Sequence, residues 1–210
     1  MIEVKAFSVG SLGTNCYVVT HKETGETAVV DPGGDNLSLM GYLDEIGEEN
    51  IKYILLTHGH YDHIASAKKL SDKYSADIVI SEDEEIFLRD ENLNLAGFLG
   101  CICYEPFSAD ILLADGDKLA LGDAEFTFIL TPGHTKGGGC YVFSEDRILF
   151  SGDTLFAGSI GRTDFPTSDY FEMLRSLRKL RNLTGDFKLY PGHNSTSTLQ
   201  YEREHNMFMR

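Results

Sequence analysis

Nowhere in this 210-residue chain does an apolar run approach the roughly 20 residues that a membrane-spanning helix requires. The first residues, Met1 to Phe7, alternate as a strand and show no basic stretch followed by an apolar one. No secretory signal is therefore expected, and the cytoplasm is the expected compartment. Basic residues are scarce, 18 Lys and Arg against 33 Asp and Glu, for a formal charge of −15. Nucleic-acid affinity rests on Lys and Arg displacing counterions from phosphates, so this balance disfavours a nucleic-acid partner. The four cysteines, Cys16, Cys101, Cys103 and Cys140, are too few for a disulfide framework in a chain of this length. Cys101-x-Cys103 lacks both the usual spacing and the second pair of a structural zinc site.

Apolar content is 42%, enough for one substantial core, and a single domain over residues 1–210 is the expectation. Alternation predicts strands near Glu3 to Val9, Asn15 to His21 and Thr27 to Asp31, the last broken by Pro32-Gly33-Gly34. Leu37, Met40, Leu43 and Ile46 then mark an amphipathic helix that stops at Gly47. A buried strand is expected over Ile51 to Leu56, a helix from Asp62 to Tyr74, and a short strand over Asp77 to Ile80. Residues 82–117 are the least regular part and read as a lid-like insertion, with helices near Glu82 to Arg89 and Leu93 to Leu99. Its acidic run Glu82-Asp83-Glu84-Glu85 reads as a solvated helix start, favoured by the helix dipole.

Strands resume at Lys118 to Leu121 and Ala124 to Leu130, and again as a hairpin of Cys140 to Ser144 with Arg147 to Ser151. Ser168 is the expected cap of a helix carrying Phe171, Leu174, Leu177 and Leu180. A strand from Phe187 to Tyr190 and a helix from Ser197 to Met207 complete the chain. Strands and helix, repeated once, suggest an α/β four-layer αββα sandwich of two mixed sheets, with a doubly wound sheet as the alternative.

The chemistry concentrates in Thr57-His58-Gly59-His60-Tyr61-Asp62-His63. Three histidines and an aspartate on a strand-to-helix loop form a transition-metal ligand cluster. Three more apolar strand runs end in loops carrying a ligand type: Phe128-Ile129-Leu130 before His134, Ile148-Leu149-Phe150 before Asp153, and Lys188-Leu189-Tyr190 before His193. Each loop alone reads as a turn, but strands of such sheets deliver their ends to one edge, where the loops meet. His58, His60 and His134 then form one face, Asp62, His63 and His193 a second, and Asp153 spans both. Seven ligands exceed one tetrahedral ion and suit two ions sharing a carboxylate, which points to metal-assisted hydrolysis. Asp62 and Asp153 are the expected catalytic carboxylates.

The pattern His58-x-His60-x-Asp62-His63, followed by His134, Asp153 and His193, resembles the metallo-β-lactamase superfamily along nearly the whole chain. The resemblance implies the αββα sandwich and the two ligand sets just described, with zinc as the expected metal and iron or manganese as alternatives. The full aspartate set is similar to that of glyoxalase II-like thioester hydrolases rather than of antibiotic-cleaving members. Ser151-Gly152-Asp153-Thr154-Leu155-Phe156 and Gly158-Ser159-Ile160-Gly161-Arg162-Thr163-Asp164-Phe165-Pro166 resemble the short, single-domain bacterial subgroup of that kind.

The implied substrate is a small-molecule thioester such as S-lactoylglutathione or a related 2-hydroxyacyl thioester, with neither nucleic acid nor membrane as partner. Arg162 stands where longer relatives hold the glutathione carboxylate, and with Lys136 it is the expected substrate contact. Asp164 replaces the aromatic that those relatives carry two residues on, so an Arg162–Asp164 ion pair is the competing reading. A second resemblance, to persulfide dioxygenases, implies instead a single iron on His58, His134 and Asp153. A metallo-hydrolase acting on another ester or lactone is the remaining alternative.

Overall fold

A computed structural model describes residues 1–101 and 103–210, so one position of the segment read as lid-like, 102, lies outside the described residues. Strands β1 (Ile2–Val9), β2 (Thr14–His21) and β3 (Thr27–Val30) form an antiparallel meander. Helix α1 (Leu37–Ile46) leads to β4 (Ile51–Leu55), which lies parallel to β3. Helices α2 (Tyr61–Ile64) and α3 (Ala67–Tyr74) lead to β5 (Asp77–Ser81), and β6 (Ile111–Leu113) joins the edge, giving the order β1-β2-β3-β4-β5-β6.

The second sheet begins with β7 (Lys118–Leu121), β8 (Ala124–Leu130), β9 (Gly139–Phe143) and β10 (Ile148–Gly152), all antiparallel. A two-stranded ribbon, β11 (Leu155–Phe156) with β12 (Ser159–Ile160), precedes helix α4 (Tyr170–Arg181). Strand β13 (Lys188–Pro191) then returns parallel to β10, and β14 (Ser197–Thr198) with helix α5 (Leu199–His205) follows. The order is β14-β13-β10-β9-β8-β7.

Strand alternation sorts the core into layers. In β2, Tyr17 and Val19 face inward and meet Phe126, Phe128, Tyr141, Phe143 and Phe150 of the other sheet. Val18, on the opposite face, packs with Val29, Ile54, Leu39, Leu43 and Leu70 beneath α1 and α3. On the far side, Cys140, Val142 and Leu149 meet Met173, Leu177 and Leu180 of α4 and Leu199 of α5. Central strands covered on both faces read as continuous apolar runs. The architecture is the four-layer αββα sandwich, two mixed sheets flanked by helices.

Several local expectations change. In α1 the buried residues are Leu39 and Leu43, whereas Leu37 is exposed, because Asn36 caps the helix by accepting from the amides of Ser38 and Leu39 and turns the first position to solvent. The helix expected over 62–74 breaks after Ile64: the Ser66 amide donates to the Pro32 carbonyl and its hydroxyl to Asp35. Glu82 to Arg89 forms only a short 3-10 turn at Glu85–Leu88, and 93–99 forms turns around the buried Asn94. Asp169, not Ser168, caps α4, and Met173 replaces the exposed Phe171 in its core stripe.

Candidate metal centre

Parallel strands deliver their C-terminal ends to one edge, and the four ligand-bearing loops meet there. His58 and His60 lie between β4 and α2, Asp62 and His63 open α2, His134 lies between β8 and β9, Asp153 follows β10 and His193 follows β13. The first four come from one sheet and the last three from the other, so the cluster sits on the seam between sheets. Backbone and side-chain bonds lock that seam. The Gly139 amide donates to the Thr57 carbonyl at 2.8 Å and the Asn15 amide to that of Gly192 at 2.7 Å. Tyr17 donates its hydroxyl to the Pro191 carbonyl at 2.6 Å, and Tyr141 to that of Leu56 at 2.9 Å.

In one half of the cluster, His60 Nδ1 lies 3.1 Å from His58 Nε2 and 2.9 Å from His134 Nε2. The outer partners assign the protons. His134 Nδ1 donates to the Arg162 carbonyl at 2.8 Å, which leaves Nε2 a bare lone pair in the neutral ring. Thr57 Oγ1 gives its hydrogen to Asp31 and therefore accepts from His58 Nδ1, leaving that Nε2 bare as well. At most one proton lies among the three converging nitrogens, and His60 Nε2, also buried, has no partner among the described residues. Burial, reinforced by the neighbouring imidazoles, holds His58 well below the usual histidine range; burial, with His134 beside it, does the same to His60, and burial also lowers His134.

In the other half, His193 Nε2 is 3.2 Å from Asp62 Oδ2 and 3.3 Å from His63 Nε2. Thr14 donates its hydroxyl to the same Asp62 oxygen at 3.1 Å. Burial alone would lower His63, but Asp153, Asp62 and Asp31 outweigh it and lift the imidazole to about 10. Burial would raise Asp62, yet His63 and His193 hold it well below the usual carboxylate range. Asp153 reaches both halves: its Oδ1 is 3.4 Å from His63, and its Oδ2 is 3.5 Å from His134 and 3.6 Å from His193. Its Oδ1 is buried without a hydrogen-bond partner. Gly192 permits this closeness, since a Cβ there would stand 2.3 Å from Asp153 Oδ1 and 2.6 Å from the His63 ring.

This donor set fits divalent cations. Three sets of potential ligands, His58/His60/His134, His58/His63/Asp153 and Asp62/His63/His193, have donor atoms within 4.8 Å of one another. Buried lone pairs aimed at one another, with an orphaned carboxylate oxygen between them, are costly unless a cation lies among them. The nitrogen separations in the first half are a little tighter than the roughly 3.4 Å between ligands about 2.1 Å from one tetrahedral ion.

The expected substrate cations stand differently. Arg162 donates from Nε and Nη2 to the two Asp164 oxygens, each at 2.8 Å, and lies over the Phe165 ring, whose edge meets His60 and His134. Lys136 is exposed beside the His134 loop.

Two supporting acids were not among the sequence-derived site residues. Asp31 is buried and accepts from the Thr57 amide at 2.8 Å, the Thr57 hydroxyl at 2.7 Å and His63 Nδ1 at 3.0 Å. Its signal in the sequence was an acid at a strand end just before Pro-Gly-Gly. Glu84 is fully buried, unlike the solvated acid expected of its run, and accepts from the Gly59 amide at 2.7 Å and the Gly137 amide at 2.8 Å. Burial pushes its carboxyl up to about 7, with those two amides pulling the other way.

A family model described as the metallo-beta-lactamase superfamily matches residues 9–193. The chain is 33% identical over 210 residues to a Haemophilus influenzae protein named hydroxyacylglutathione hydrolase GloC, covering 99% of this chain and 98% of that one. A crystal structure of BLEG-1 B3 metallo-beta-lactamase superposes with a TM-score of 0.87 at 33% identity, covering 99% of both chains. One of TTHA1623 in a di-iron-bound form gives a TM-score of 0.84 at 28% identity, covering 98% of this chain and 100% of the other.

Proposed function

The chain belongs to the metallo-beta-lactamase superfamily, and from that premise we propose that it is a hydrolase dependent on two divalent metal ions and acting on thioesters, S-lactoylglutathione or a related 2-hydroxyacyl thioester among them. The observation that carries the proposal is the pair of ligand sets, one of three imidazoles and one containing Asp62, with Asp153 within reach of both. The Asp62, His63 and His193 set supplies donors for a second ion beside the three-imidazole set. The likeness to GloC supports the thioester, and the di-iron form of TTHA1623 supports two ions with iron beside zinc as the metal.

Divalent ions in such a site bring the pKa of water down to about 7 and polarise a carbonyl oxygen. The chain's own residues prepare that chemistry. His58, His60 and His134 are neutral, so their lone pairs are free at physiological pH. Asp62 and Asp153 would hold the ions together with the histidines and offset their charge. Asp31 and the Arg162 carbonyl fix the tautomers of His63 and His134. Phe165 and Phe87 cover the His60 ring and keep bulk water off it. A thiol leaving group, with a pKa near ~8.5, departs as thiolate without a dedicated acid.

The test pairs metal quantification on protein purified without added metal with a substrate panel: S-lactoylglutathione, thioesters of other thiols, a β-lactam, and persulfide with oxygen uptake. Two ions per chain and thioester cleavage are expected. One iron with persulfide-dependent oxygen uptake would overturn the proposal in favour of a dioxygenase. Turnover of the β-lactam without thioester cleavage would overturn it in favour of the activity named for BLEG-1.

A further inference from the structure

The stretch 82–94 touches three successive residues of the histidine loop. Glu84 Oε2 accepts the Gly59 amide, the Phe87 ring lies 6.2 Å from that of His60, and the Tyr61 amide donates to the Asn94 carbonyl at 2.7 Å. Glu84 Oε1 meanwhile accepts the Gly137 amide, three residues past His134 in the second sheet. The carboxylate therefore ties the loop of His58 and His60 to the loop of His134. The approach is tight on both sides: a Cβ on Gly59 would come 2.3 Å from Phe87 Cβ, and one on Gly137 would come 2.5 Å from Asp83 Cβ and 3.0 Å from Glu84 Cγ. Among the described residues no ion pair reaches Glu84, and each of its two carboxyl oxygens accepts one of these amides. Among the described contacts it makes none to Asp62, His63 or His193.

We propose that Glu84 is a positioning residue that sets the spacing of His58 and His60 against His134, and thereby the metal affinity of the three-imidazole half of the centre but not of the other half. The inference rests on the proposed two-ion centre and adds a residue that separates its halves. Glutamine at this position has nearly the same shape but only one acceptor oxygen. Its NH2 faces an amide that needs an acceptor, so one of the two loops is released.

The test titrates cobalt(II) into metal-free wild type, Glu84→Gln and the exposed control Glu82→Gln, reading visible absorption and chelator competition for each ion, with melting curves to check folding. Wild type and the control are expected to hold two ions. In Glu84→Gln the ion in the three-imidazole half should bind ~10–100-fold more weakly, the usual cost of losing a support of this kind, with the other ion within about threefold. Equal weakening of both ions, or of neither, overturns the inference while leaving the two-ion reading intact. A wild type that holds only one ion overturns that reading instead. A second readout covers a Glu84→Gln that folds poorly. In metal-free wild type, the Gly59 and Gly137 amide protons should resonate well downfield and be protected from exchange, and ordinary shifts with rapid exchange at both overturn the clamp itself.

Discussion

Asp31→Asn is the sharpest perturbation of the centre, because it replaces a single oxygen by NH2 and should move the protons on two ligands. The wild-type carboxylate only accepts, from the Thr57 amide, the Thr57 hydroxyl and His63 Nδ1. In the variant, oxygen can stay on the Thr57 amide, and NH2 then faces the hydroxyl and the imidazole. His63 Nδ1 must become an acceptor, which places the proton of the neutral ring on Nε2, the atom aimed at His193 and Asp153. The Thr57 hydroxyl, now an acceptor from the amide, turns its hydrogen to His58 Nδ1 and protonates His58 Nε2 by the same logic. Both halves of the centre lose a lone pair. Losing such supports costs ~10–100-fold in metal affinity, about 1.4–2.7 kcal/mol for each ion. Chelator competition reads the affinities, and nitrogen-15 NMR of the imidazoles reads the tautomers. Asp31→Ala also strands buried donors at about 1–3 kcal/mol each, so the metal-free protein should melt roughly 10 °C lower. An Asp31→Asn protein that keeps both ions within threefold, with His63 still protonated at Nδ1, refutes the reasoning.

Two further outcomes follow from the same geometry. In metal-free protein His63 is lifted to about 10 from an unfolded value near ~6.5. Its stabilising charge is thus fully present below pH ~6.5 and lost as pH rises through about 10. Filling the second half at pH 7.5 must displace that proton, and calorimetry in buffers of different ionisation enthalpy should count close to one proton released; a count of zero contradicts the assignment. Asp164→Ala frees the Arg162 guanidinium from an exposed pair, so KM for thioesters of anionic thiols should fall roughly two- to fivefold, with the melting temperature nearly unchanged. Unchanged KM would remove Arg162 from the substrate contacts.

What could be read in the sequence was what depends on near neighbours. Ile54-Leu55-Leu56 announced a strand covered on both faces, and Leu55 and Ile54 do enter opposite layers. The ligand loops were legible for the same reason, since each couples an apolar run to a turn and a histidine or aspartate within a few residues. Helix faces were less so: Leu37 fits the period, but the Asn36 cap puts it in the first turn, outside the packed face. The break at Ser66 depends on a carbonyl 34 residues earlier in the chain, which periodicity does not see.

The two acids that support the centre were hidden by a different limit. Asp31 and Glu84 look like many of the 33 acidic residues of the chain, and their roles are set by groups 25 to 53 positions away. Burial distinguishes them, and burial arises only once the sheets have closed. The same closure makes the centre, because each half takes ligands from both sheets: His58 and His60 with His134, Asp62 and His63 with His193. Sheet packing through Tyr17, Phe150 and Tyr190 and metal affinity are thus one equilibrium, in which an ion bound across the seam stabilises the closed sandwich and any substitution that parts the sheets weakens the ion. Ligand identity can be read along a chain, whereas affinity depends on how firmly the two sheets are held together, and Glu84, joined to Gly59 of one sheet's loop and Gly137 of the other's, acts on that quantity while Asp31 acts on the protons of the ligands.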